Sequence, residues 1–64
     1  MNEKDIWRTA TLLIKQHGGK AGEIAKLRVI DMMEKKDADG QVVWKRIVAA
    51  VDDLTKAPGD DVVH

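Results

Sequence analysis

The chain has sixty-four residues, no cysteine, two histidines, and eleven basic against eleven acidic side chains, which allows one small domain and no more. Disulfides and thiolate-based zinc sites are excluded, and His17 and His64 are too few imidazoles for a histidine-rich metal centre. A formal net charge of zero argues against a nucleic-acid binder, whose affinity rests largely on neutralised phosphates.

The first predicted element is a helix over about 3–17. Asn2 is placed to cap it, and Glu3 and Asp5 set negative charge against its N-terminal dipole. Ile6, Ala10, Leu13, Ile14 and His17 recur at helical spacing on one face, with Trp7 at the edge. That position makes His17 a packed or capping side chain rather than a ligand or base. Gly18-Gly19 then provides residues able to adopt the positive-φ geometry that closes a helix. Gly18-Gly19-Lys20-Ala21-Gly22 follows a helix and lacks the spacing of a phosphate-binding loop, so it reads as a helix stop.

A second helix is predicted over about 21–35. Ala21, Ile24, Ala25, Val29 and Met32 define one face, interrupted by Arg28, while Leu27, Ile30 and Met33 point elsewhere. A helix apolar on more than one side is either sandwiched between neighbours or presents a surface to another chain. After a turn in which Asp37 or Asp39 can cap, a third helix is predicted over about 39–56. Gly40, Trp44, Ile47, Val51 and Leu54 form its seam at alternating spacings of four and three, flanked by Val43, Val48 and Ala50. Gly40 on the seam points to a close approach there, beneath a tryptophan. Ala57-Pro58-Gly59 stops the helix, and 58–64 is expected to be a short disordered tail. The expected architecture is therefore all-α: one three-helix domain or bundle over 1–57.

Catalytic constellations are not found. Serine, cysteine and tyrosine are absent, so Ser-His-Asp and Cys-His nucleophiles are impossible. Asp52 and Asp53 diverge by about 100° on a helix and do not converge on one substrate atom; Asp60-Asp61 reads as solvated charge. Neither an enzyme nor a cofactor is expected. No apolar run approaches the ~18 residues of a membrane span, and Met1 to Asp5 lacks the pattern of a signal peptide, so a cytoplasmic location is expected.

The string Asp5-Ile6-Trp7, Leu13-Ile14, His17-Gly18, Arg28 and Gly40-Gln41-Val42-Val43-Trp44-Lys45-Arg46-Ile47, with Val51 and Leu54, resembles a family of short proteobacterial proteins of unknown function. The likeness covers residues 5 to about 55. Relatives tend to be acidic after the first glycine, polar near Ile30 and glycine near Lys36. The resemblance implies a helical fold and a bacterial cytoplasm, and it brings no catalytic residues.

A chain this short has little core, and domains of this size are often completed by a disulfide, a metal or a second copy. The first expectation is thus a non-catalytic interaction module, self-associating as a dimer or binding another protein through Leu27, Ile30 and Met33. Trp7 and Trp44 are either core residues or binding hot spots. The alternative is a nucleic-acid module of helix-turn-helix type using the stripe of Lys4, Arg8 and Lys15, or Lys45 and Arg46. Against it, the third helix opens acidic and then apolar where a recognition helix exposes polar readers. A small inhibitor from a phage or mobile element is a third possibility.

Overall fold

The computed structural model describes residues 2–56; the expected stop at Ala57-Pro58-Gly59 and the tail over 58–64 lie outside the described residues. The described elements are all helical: α1 (Glu3–His17), a 3₁₀ turn (Gly18–Lys20), α2 (Ala21–Glu34) and α3 (Ala38–Thr55).

The chain begins as its polar residues dictate. The Asn2 side chain accepts a hydrogen bond from the Asp5 backbone N–H at 3.0 Å, satisfying one of the donors a helix start leaves free. The end of α1 departs from expectation. Gly18 has φ 57° and ψ −128°, the mirror image of extended backbone, while its N–H still bonds to the Ile14 carbonyl. Gly19 and Lys20 then continue as a 3₁₀ turn, and the Ala21 N–H bonds to the Gly18 carbonyl. Counted by uninterrupted helical runs, the described residues thus form two helices rather than three. The first passes from α1 into α2 with no intervening loop, because one glycine can take a conformation closed to other L-residues and redirect the backbone within a single turn.

The passage from α2 to α3 is built differently. Lys36 N–H bonds to the Met33 carbonyl at 3.0 Å and Asp37 N–H to the Met32 carbonyl at 2.8 Å, the paired bonds of a Schellman motif. The residue that takes positive φ here is Lys36, at 58°, where glycine is usual. Asp37 is the cap of α3, its carboxylate accepting from Gly40 N–H at 2.9 Å; Asp39 lies in the first turn.

α3 is the central element and packs against both α1 and α2, which touch each other less. The core holds Ile6, Ala10, Ala21, Ala25, Ile47, Ala50 and Val51. Four of those seven described residues are alanines, which draw helix backbones together but remove little apolar area from water. Leu13, Ile14, Val43, Trp44 and Val48 pack around them, partly buried. The seam of α3 is as the sequence indicates except at Leu54, which stays exposed in the last turn. Gly40 does mark a close approach, to Met32 rather than to a tryptophan: a Cβ there would lie 2.5 Å from the Met32 sulfur.

Candidate interaction surface

α2 divides into an inner and an outer face. Ala21 and Ala25 are buried, and Ile24, Val29 and Met32 are half-buried beside them. Leu27, Ile30 and Met33 stand outside, 60%, 52% and 55% exposed. These three side chains are not sandwiched between neighbouring helices. Spaced three residues apart, the three side chains form one row along the helix, with Lys26 and Glu34, both exposed, on either side of it.

Arg28, which interrupts the inner face in sequence, is accommodated at its margin. The guanidinium lies 5.9 Å from the ring centroid of Trp44, a cation–π contact across α2 and α3. Trp44 is half-buried and packed on the core, whereas Trp7 is 41% exposed. Trp7 borders a shallow depression of about 220 Å³ between α1 and α3, shared with Glu3, Ile6, Arg46 and Asp53. His17 does not pack on the apolar face of α1: it is exposed, because the helix ends at that residue and Gly18 turns the chain away.

Between α2 and α3 runs a groove that the sequence did not reveal. Its wider part, about 460 Å³, is lined by Gly19, Gly22, Lys45, Val51, Asp52 and Thr55 among others. Its narrower part, about 320 Å³, has Val29, Ile30 and Val48 as floor, with Lys26 and Lys45 alongside. Gly22 was the available signal, since a missing side chain opposite Val51 opens the space. Asp52 lines this groove and Asp53 the depression near Trp7, so the adjacent carboxylates face different hollows.

The basic residues Lys4, Arg8 and Lys15 are exposed along α1, as are Lys45 and Arg46 on α3. Thr11, which continues the α1 stripe, donates its hydroxyl to the Trp7 carbonyl at 2.9 Å. Among the described residues, no group of three or more histidine or acidic side chains is placed to hold a metal ion. No described helix is long and apolar enough to cross a membrane.

No protein-family model, curated protein or solved structure matches the chain.

Proposed function

We propose that this chain is a non-catalytic helical interaction module whose three α-helical segments act as one unit and which associates with a second copy of itself through the outer face of α2. The observation that carries this reading is the exposure of Leu27, Ile30 and Met33 in one row. Large apolar side chains scattered singly on a surface are ordinary, but a contiguous row on one helix marks a contact face. The alanine-rich core supports the same reading, because apolar burial missing inside the protomer is available at this row.

Three side chains are a small interface beside the ~800 Å² per partner of a stable complex, so association should depend on concentration across the micromolar to near-millimolar range. Light scattering over that range is the test. The wild-type mass is expected to rise from monomer towards dimer, and a variant carrying Leu27→Gln and Ile30→Gln should remain a monomer with its helical content intact. A wild-type mass equal to one chain at every concentration would overturn the proposal.

A further inference from the structure

The groove between α2 and α3 matches, in position and in order, the residues that follow α3 in the sequence. We infer that the chain folds back at Ala57-Pro58-Gly59 and lays Asp60-Asp61-Val62-Val63 along its own groove. This goes beyond self-association and does not rest on it.

Connectivity is the first argument. Gly19, Gly22, Asp52 and Thr55 line the wide part of the groove, and Val29, Ile30 and Val48 the narrow part. The groove therefore opens at the last residue of α3 and runs back along that helix. Lys56 leaves α3 in extended geometry, with ψ 127°. Ala57-Pro58-Gly59-Asp60 comes next, with proline second and glycine third, the pattern of a type II turn. A reversal there points the chain into the wide end. Gly59 to Val63 spans about 13 Å when extended, and Val48 lies about 10 Å from Thr55 along the helix axis. Val62 and Val63 thus reach the level of Val48, with Asp60 and Asp61 over the wide part.

The order of the chemistry is the second argument. The groove passes from polar walls at Asp52 and Thr55 to an apolar floor at Val29, Ile30 and Val48. The segment runs the same way, two carboxylates and then two valines. Lys26 and Lys45 line both parts of the groove and mark where they meet. Both lysines are exposed, and among the described residues neither is in an ion pair. Asp52 offsets one of these cations, which leaves an excess of positive charge facing Asp60 and Asp61. Taken alone, so short a segment has too little apolar surface to become ordered; the groove supplies the surface. A short connection also holds the segment at an effective concentration of about millimolar, so contacts too weak for a free peptide suffice. Ile30 is shared with the exposed row on α2, whereas Leu27 and Met33 do not line the groove.

Nuclear magnetic resonance on the full chain tests this. Methyl NOEs are expected from Val62 or Val63 to Val48 or Ile30, unchanged on dilution from millimolar to tens of micromolar. Backbone order parameters of Val62 and Val63 should lie above about 0.6. Asp60→Lys with Asp61→Lys should lower those NOEs about fivefold while leaving the Trp44 and Ile47 signals in place. The K26E/K45E variant should do the same, and the four changes together should restore at least about half of the lost intensity. Order parameters below about 0.6 without such NOEs would overturn the inference. So would NOEs indifferent to D60K/D61K, or a fourfold variant that regains nothing. NOEs that fade on dilution would assign the groove to the same segment of a second copy, which also overturns docking within one chain.

Discussion

α2 and α3 are neighbours of similar length held to different standards. α3 opens on an aspartate cap, closes Ile47, Ala50 and Val51 into the core, and touches both other helices. α2 opens on Lys20 without a side-chain cap, buries only two alanines, turns out of its last residues through a lysine at positive φ, and leaves its largest outer side chains in water. The contrast separates two roles. α3 is stabilised by packing on both α1 and α2, while α2 is held mainly by α3 and leaves Leu27, Ile30 and Met33 exposed.

The sharpest way to break this contrast is at the centre of α3. Ile47→Ala removes one of the two largest fully buried side chains and should cost about 2–5 kcal/mol. A domain of this size has about 3–5 kcal/mol in all, so urea titration should find much of the variant unfolded without denaturant. Asp37→Ala removes the cap of α3 and should cost about 1 kcal/mol in the same measurement, whereas no side-chain cap exists to remove from α2.

Other changes sharpen the comparison from the α2 side. Lys36→Gly relieves a positive φ held by a residue with a Cβ and should raise stability by about 1 kcal/mol, seen as a higher urea midpoint at unchanged slope. The smallest effect concerns concentration. If a second copy completes α2, the melting temperature of wild type should rise with protein concentration, and that of the Leu27→Gln, Ile30→Gln variant should not. A midpoint independent of concentration in both would return α2 to the standing of an ordinary surface helix.

Much of this was legible from local chemistry. Asn2 and Asp37 cap because a short polar side chain before a helix finds free backbone N–H groups within reach, and Gly18 ends α1 because only glycine accepts its backbone angles. The split of α2 into inner and outer faces follows from helical periodicity, as does the seam through Ile47 and Val51. Periodicity has no knowledge of where a neighbour stops, so the wheel carried that seam on to Leu54 and extended the apolar face of α1 to His17, both of which are exposed.

By itself, then, the sequence determined that the described residues are helical, the cap of α1, a choice between Asp37 and Asp39 for the cap of α3, and most of the helix faces, since these depend on residues within a few positions of one another. Tertiary structure decided the rest. It joined α1 to α2 through a 3₁₀ turn in place of a loop, set Met32 against Gly40, laid Arg28 over Trp44, and opened the groove beside Gly22. It also left Leu27, Ile30 and Met33 uncovered. Whether an apolar face is core or surface depends on how many helices reach it, and that is settled by packing between segments distant in sequence.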